Sequence, residues 1–398
     1  MAGNIAKRWK LLSGRSDWKG LLDPLDIDLR RYLIHYGEMA QVTYDSFIFQ
    51  RVSKFAGDCR YSKSNLFSRA GLAKANPFKY KAVKYFYATS HIPLPECFLL
   101  RSLSREAWNK ESNWMGYIAV TTDEGKEILG RRDIVVAWRG SIQALEWIAD
   151  FDSPLVSASQ LFGESKNPQV HRGWLSMYTS EDAKSPYNKT SAREQVNTKL
   201  KELVQKFKNE EISITVTGHS LGAALATLNA ADIVASGINM SKDQPEQHCP
   251  VTAFVFGSPR VGNSGFRDVI QSMQHLSLLR IVNDPDLIPL VPILGYSDVG
   301  QVLEIDTQKS KYLKNLGNDG SWHNLEAYLH GIAGTQGSQD FQLEVKRDIA
   351  LVNKSLNSLK EEYLVPSFWW CTEHRGMVQQ NDGSWKLQDH EQDEMNFE

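Results

Sequence analysis

The stretch Ile212-Ser213-Ile214-Thr215-Val216-Thr217-Gly218-His219-Ser220-Leu221-Gly222-Ala223-Ala224-Leu225-Ala226-Thr227-Leu228 decides the fold. Its first six residues alternate apolar and hydroxyl side chains and are almost all β-branched, which suits a strand. From Ala223 onward Ala and Leu dominate, and both are strong helix formers. G-x-S-x-G lies between the two patterns. Gly218 and Gly222 lack a Cβ, so a strand can turn directly into a helix there. Ser220 is then held on a sharp elbow with its hydroxyl at a helix N-terminus, where backbone N–H groups and the positive helix end face whatever it attacks. A bare G-x-S-x-G arises by chance in roughly one chain in ten of this length, so the strand before it and the helix after it carry the assignment.

On either side the pattern repeats. Asp133–Trp138 is a continuous apolar run, as expected of a buried central strand, and ends in Arg139-Gly140-Ser141. Val251–Phe256 and Leu276–Val282 are further strands, closed by Gly257-Ser258-Pro259-Arg260-Val261-Gly262-Asn263 and Asn283-Asp284-Pro285-Asp286-Leu287-Ile288-Pro289, with Gln301–Ile305 the next. Met115–Thr122 reads as a strand before a turn at Asp123-Glu124-Gly125-Lys126, and Ala192–Asn209 and Leu325–Ile332 read as helices. Strands separated by helices predict a mostly parallel central sheet with helices on both faces, and the serine elbow between strand and helix gives the expectation of an α/β-hydrolase fold.

The flanks are read more coarsely. Residues 1–110 are expected to be a helical N-terminal region. Leu29, Leu33, Tyr36 and Ala40 share one face, Asp26 or Asp28 caps the start, and Arg30, Arg31 and Glu38 face water. Tyr80–Ala88 interleaves aromatic and basic residues and is read as a surface helix or strand. Phe341, Val345, Ile349, Val352, Leu356, Leu359 and Tyr363 recur at helical spacing and predict one long amphipathic helix stopped by Pro366. A small hairpin follows, with a strand signal at Phe368-Trp369-Trp370 and a turn at Asp382-Gly383. The whole is one domain with a catalytic core at 111–335 and a C-terminal part at 336–398.

Composition narrows the class. Lys and Arg number 45 against 47 Asp and Glu in 398 residues, so no basic excess points to nucleic acid. Cys59, Cys97, Cys249 and Cys371 are far apart, which implies reduced thiols and neither a disulfide frame nor a zinc site. No His-x-x-x-His and no carboxylate cluster has metal spacing, so no metal or cofactor is expected. The N-terminus has no apolar leader and no apolar run reaches membrane-spanning length, which leads to the expectation of a cytoplasmic protein.

A serine elbow needs a base, and the base needs an acid to hold its tautomer. Asp284 and Asp286 both follow the strand ending at Val282. Asp284 precedes a proline, as turn-forming aspartates do, which favours Asp286 as the acid. His323, His330, His374 and His390 remain as bases. His323 follows the loop Gly317-Asn318-Asp319-Gly320-Ser321 and is favoured, while His330 fits a helix C-terminus. His219 and His171 are read as structural. The oxyanion donors are backbone N–H groups, that of Leu221 and that of Ser141 beyond the strand ending at Trp138. Ile142, Leu145, Trp147 and Ile148 form an apolar lid-like segment beside them.

Ala137-Trp138-Arg139-Gly140-Ser141, Gly218-His219-Ser220-Leu221-Gly222, Gly257 to Asn263, Asp286-Leu287-Ile288-Pro289 and His323 resemble class 3 (fungal-type) lipases in order and spacing. The resemblance puts nucleophile, acid and base on Ser220, Asp286 and His323, oxyanion positions on Ser141 and Leu221, and the lid on about Ile142 to Asp150. Trp18 to Asp26 and Tyr36 to Gln41 look like the plant class II phospholipases A1, a likeness over nearly the whole chain. Trp174, where many lipases have Phe, is the departure. The resemblance implies calcium-independent cleavage of the sn-1 acyl ester of phospholipids, in the cytosol, by an enzyme that meets its lipid at a membrane or lipid-droplet surface. Neutral-lipid or galactolipid hydrolysis uses the same chemistry, and a lipase-like signalling scaffold using the 341–363 helix is the non-enzymatic rival.

Overall fold

Seven strands form one sheet because their apolar residues satisfy two cores at once. The structure is a computed structural model that describes residues 4–74, 76–142, 154–241, 243–314, 319–336, 340–370 and 374–388. The strands are β1 (Tyr80–Ala88), β2 (Asn113–Thr121), β3 (Arg132–Trp138), β4 (Ile212–His219), β5 (Val251–Phe256), β6 (Leu276–Asn283) and β7 (Gln301–Ile305). They lie side by side in sequence order. β1, β2 and β3 pair antiparallel, and β3 through β7 pair parallel.

Side chains alternate between the faces of the sheet. Ile134, Val136 and Trp138 of β3 and Ala253 and Val255 of β5 enter one core. Val135 and Ala137, with Phe254 and Phe256, enter the other. Strands buried on both faces read as unbroken apolar runs, which is why the sequence located them. Each fully buried aliphatic or aromatic side chain stabilises the fold by about 1.5–3 kcal/mol.

Among the described residues, eight helices of seven or more residues cover the two faces or the ends of the sheet. They are α1 (Ile5–Leu12), α2 (Ile27–Asp45), α3 (Asp123–Leu129), α4 (Arg172–Thr179), α5 (Ala192–Lys206), α6 (Leu221–Ala235), α7 (Ser264–Gln271) and α8 (Leu325–Ala333). The first core is shared by α4, α5, α6 and α7, and the second by α1, α2 and α8. Asp26 caps α2 by accepting from the Asp28 and Leu29 N–H groups. Ser191 and Glu194 form a capping box on α5.

Four expectations are corrected. The region 1–110 is not helical throughout: Tyr80–Ala88 is β1, an edge of the sheet. Its aromatics pack inward, and Lys81 on the edge strand discourages pairing with another chain. Asp123–Lys126 is the first turn of α3, capped by Thr122. Gly125 serves close packing there, since a Cβ would stand 2.3 Å from the Lys79 carbonyl oxygen. Arg30 does not face water, and Glu38 is half-buried. Arg30 is buried and donates to the Ile332 and Gly334 carbonyls, while Glu38 pairs with Arg347.

The fourth correction concerns residues 341–363. Ile349–Asn353 and Glu361–Tyr363 are short 3-10 turns, and no long helix runs through them. Asn353 Oδ1 accepts from the N–H groups of Ser358 and Leu359 at 2.9 and 2.8 Å, and Asp348 accepts from Ala350 and Trp385. Polar side chains have taken the backbone donors that a helix would use. The apolar spacing instead docks the segment on α8, with Phe341 stacked on His330 at 5.1 Å. Two cations of this segment are buried with it: Lys354 pairs with Asp45 and Glu326, and Arg347 with Glu326. The C-terminal hairpin is present, with strands at Met377–Gln379 and Trp385–Leu387 in place of Phe368–Trp370. Among the described residues no helix is long and apolar enough to cross a membrane.

Candidate active site

Parallel strands deliver their loops to one end of the sheet, and the candidate residues gather at the ends of β3, β4 and β6. At the end of β4, Ser220 has φ 58° and ψ −128°, a left-handed conformation that costs a non-glycine residue energy. The surroundings impose it. The Ser220 N–H is held by the Phe256 carbonyl at 3.0 Å, and its own carbonyl starts α6 by accepting from Ala223 at 2.9 Å. A Cβ at Gly218 would meet the Gly222 carbonyl oxygen at 2.3 Å. One at Gly222 would meet the Trp138 carbonyl oxygen at 2.4 Å, so β3, β4 and α6 touch through backbone alone. Ser220 is buried, and its Oγ has no partner among the described residues.

Beyond β6 the two aspartates part company. Asp284 is exposed, while Asp286 is buried. Asp286 Oδ1 accepts from the Ile288 N–H at 3.0 Å, and Oδ2 accepts from His323 Nδ1 at 2.6 Å. A carboxylate can only accept, so Nδ1 carries the proton and Nε2 keeps its lone pair. His323 Nε2 is buried with no partner among the described residues. Asn283 holds the segment before the histidine by donating to the Trp322 carbonyl at 2.8 Å. Gly257 (φ +54°) lets the ring approach, since a Cβ there would stand 3.0 Å from His323 Cε1.

The loop after β3 is pinned from beneath by Arg139. Its guanidinium is buried and donates to the carbonyls of Trp114 (3.0 Å), Gly140 (2.7 Å) and Phe98 (3.1 Å), and it lies 4.0 Å above the Phe47 ring. Burial pulls its pKa down to about 10, which leaves it charged at neutral pH. Gly140 is confined by Tyr44, whose hydroxyl would be 1.9 Å from a Cβ. The neighbouring Ser141 is buried and its Oγ is unpartnered among the described residues. Neither the Ser141 nor the Leu221 N–H donates to a backbone carbonyl among those residues, so both stay available to a ligand oxygen.

His219 is part of the support. Tyr44 OH meets its Nδ1 at 2.8 Å, and its ring lies 4.6 Å from that of His323. Burial, then the neighbouring His323, hold the His219 pKa well below the usual histidine value, so it packs as a neutral ring. His171 caps α4 by accepting from the Gly173 and Trp174 N–H groups. His330 bonds to Ser310 Oγ at 2.7 Å, away from the site. His374 lies in the C-terminal ring cluster with Trp369, Trp370 and Trp385. His390 and the lid segment from residue 143 to 150 lie outside the described residues.

Sequence reasoning missed Tyr328. Its hydroxyl donates to Asp286 Oδ2 and accepts the Asn283 N–H at 3.2 Å. It sits on α8, whose first turn begins two residues after His323, so one helix carries a partner for the acid close behind the histidine. Arg139 and Tyr44 were equally silent, because their roles are made by contacts distant in sequence. Among the described residues no group of three His, Cys, Asp or Glu could hold a metal ion.

The arrangement suits acyl transfer: a strained serine, a histidine with a free lone pair backed by a buried carboxylate, and two unspent N–H groups. The chain is also similar to known proteins. The Lipase (class 3) family matches residues 135–296. Phospholipase A1-IIbeta of Arabidopsis thaliana is 56% identical over 391 residues, covering 97% of this chain and 94% of that protein. Phospholipase A1-II 1 of Oryza sativa subsp. japonica is 54% identical over 395 residues, 98% of each chain. Among solved structures, the Lip2 lipase of Yarrowia lipolytica is 18% identical with a TM-score of 0.46, covering 71% of this chain and 80% of that one. The chain belongs to the plant class II phospholipases A1, within the class 3 lipases.

Proposed function

We propose that this chain is a serine acylhydrolase that cleaves the sn-1 acyl ester of glycerophospholipids, with Ser220 as nucleophile, His323 as base and Asp286 as the acid behind it. The observation that carries the reading is the buried Asp286–His323 contact of 2.6 Å beside a serine held at φ 58°. The names of relatives identical at more than half their positions support the substrate class.

His323 Nε2 takes the Ser220 proton as Oγ attacks the ester carbonyl. The Ser141 and Leu221 N–H groups hold the oxyanion, and the helix end at Leu221 adds its partial charge. Asp286 stabilises the imidazolium, which returns its proton to the departing 2-acyl lysophospholipid. Water, deprotonated by His323, then attacks the acyl-serine and releases the fatty acid. Each step uses only these side chains, backbone N–H groups and water.

Ser220→Ala is expected to abolish release of fatty acid from sn-1-labelled phosphatidylcholine while thermal unfolding is unchanged. Hydrolysis persisting in that variant, or label appearing from sn-2 first, contradicts the reading. Galactolipids and acylglycerols in the same panel define the head-group preference.

A further inference from the structure

Two exposed apolar patches flank the candidate site, and the reaction proposed above leaves both unexplained. The first is built from two loops. Phe49, Val52 and Phe55 lie on one, Leu103 and Trp108 on the other, all exposed, with Val52 80% exposed. Backbone bonds from Leu103 N to Arg51 O (2.8 Å) and from Trp108 N to Lys54 O (3.0 Å) join the loops, and the Phe55 and Trp108 rings meet edge-on at 4.7 Å. The second patch is the loop after β6, where Leu287, Leu290, Ile293 and Leu294 are exposed, with Leu294 at 90%. No charged residue occurs from Leu287 to Ser297. Soluble proteins scatter exposed aliphatic residues singly, so four within eight positions mark a surface that meets something apolar.

Both patches lie at the same end of the sheet as Ser220. Gly116, near the start of β2, pairs with Trp138 at the end of β3, so the loop leading into β2 emerges where β3 ends. That loop also touches the site, through the Phe98 carbonyl on Arg139. The other loop begins directly at Asp286. In the order β1 to β7 the serine elbow on β4 therefore falls between them.

We propose that this end of the molecule is a phospholipid-docking surface that rests on a bilayer through both patches, with the serine elbow between them. The proposal rests on the reading of the site as a lipid esterase. The chemistry of the two patches differs and selects the occupant. The first carries Lys54, Arg101, Arg105 and Lys110 against Glu106 and Glu111, all six exposed and without an ion-pair partner among the described residues, a net excess of two positive charges. Aromatic rings among cations match the headgroup region of an anionic leaflet. The second is purely aliphatic and matches the acyl region beneath. Binding therefore has a salt-sensitive part from the first patch and a salt-insensitive part from the second.

The test is co-sedimentation with vesicles of ether-linked phosphatidylcholine, with and without ether-linked phosphatidylserine, lipids that no esterase cleaves. Binding to both is expected, stronger with phosphatidylserine, and the increment should vanish at high salt. Leu294→Asp should weaken both by about tenfold or more, the worth of one buried aliphatic side chain. Arg105→Glu should remove only the phosphatidylserine increment. Leu11→Asp should change nothing: Leu11 is exposed too, but on α1, whose Ala6 packs against Gly130 at the opposite end of β3. All three variants should hydrolyse a monomeric short-chain ester like the parent. Absence of vesicle binding, undiminished binding by Leu294→Asp, or equal loss in Leu11→Asp overturns the proposal. So does a parent chain that is dimeric without lipid and becomes monomeric on Leu294→Asp, since the patch would then be a contact between copies. Vesicle binding is read without catalysis and monomeric ester hydrolysis without vesicles, so failure of one reading is distinct from failure of the other.

Discussion

Gly222→Ala tests the site's geometry most directly, because the added methyl meets only backbone. Its nearest neighbours would be the Trp138 carbonyl oxygen at 2.4 Å, the Arg139 carbonyl carbon at 2.8 Å and the Gly140 nitrogen at 2.9 Å. The first is about 1 Å inside the 3.4 Å at which ordinary contact begins, and none belongs to a side chain that could swing aside. Relief requires the start of α6 and the loop after β3 to move apart by about that distance. Those are the elements that carry the Leu221 and Ser141 N–H groups. A displacement of about 1 Å at a reacting centre costs on the order of 10²-fold, and loss of one oxyanion donor about 10²–10³-fold. The variant is therefore expected to lose about 10²–10³-fold in kcat on a monomeric short-chain ester, with KM little changed because the donors act on the transition state. The assay is steady-state turnover beside a thermal melt, with the melt showing a cooperative transition. Turnover within about threefold of the parent would refute the view that the two donors are set by the β3–α6 contact.

Two further outcomes follow from buried groups near the site. Tyr328→Phe deprives Asp286 of a donor and the Asn283 N–H of its acceptor, and should cost about 2–3 kcal/mol in urea unfolding; an unchanged urea midpoint contradicts it. His35 is buried with both ring nitrogens unpartnered among the described residues, and burial lowers its pKa to about 3. Between the ordinary histidine value and that pKa, the unfolded chain binds a proton that the folded chain refuses, so stability is full above about pH 6.5 and is lost on acidification, by up to about 1.4 kcal/mol per pH unit. His35→Leu should flatten the pH dependence of unfolding free energy in that window, and identical slopes in parent and variant count against it.

What the sequence disclosed follows from how local each signal is. β3 and β5 are buried on both faces, so their apolar runs could be read directly, while β4 was legible from its β-branched alternation. The elbow was legible because Gly218 and Gly222 answer a steric demand within five residues. The preference for Asp286 over Asp284 came from turn chemistry, and burial separates them in the same sense. β1 was ambiguous because an edge strand has one wet side and its aromatic–lysine alternation suits a helix surface as well. Residues 341–363 misled because apolar spacing is silent about Asn353, which captures backbone donors five and six residues on. Arg30, Arg347 and Lys354 look like surface charges in sequence. Their partners lie up to about 300 positions away, on other elements, and no local pattern announces them.

The helix that follows His323 is held by ions from the segment behind it, which are shared in turn with α2. Glu326 stands on α8, three residues after that histidine. It is neutralised by Arg347 and Lys354 from the C-terminal segment, and Lys354 is in turn shared with Asp45 at the end of α2. A carboxylate left in such a place without its cations is costly, by several kcal/mol. For anyone rebuilding this enzyme, α2 and the segment holding Arg347 and Lys354 are not spare parts: replacing either would unbalance the charge beneath the histidine, even though every residue of the serine elbow remained in place.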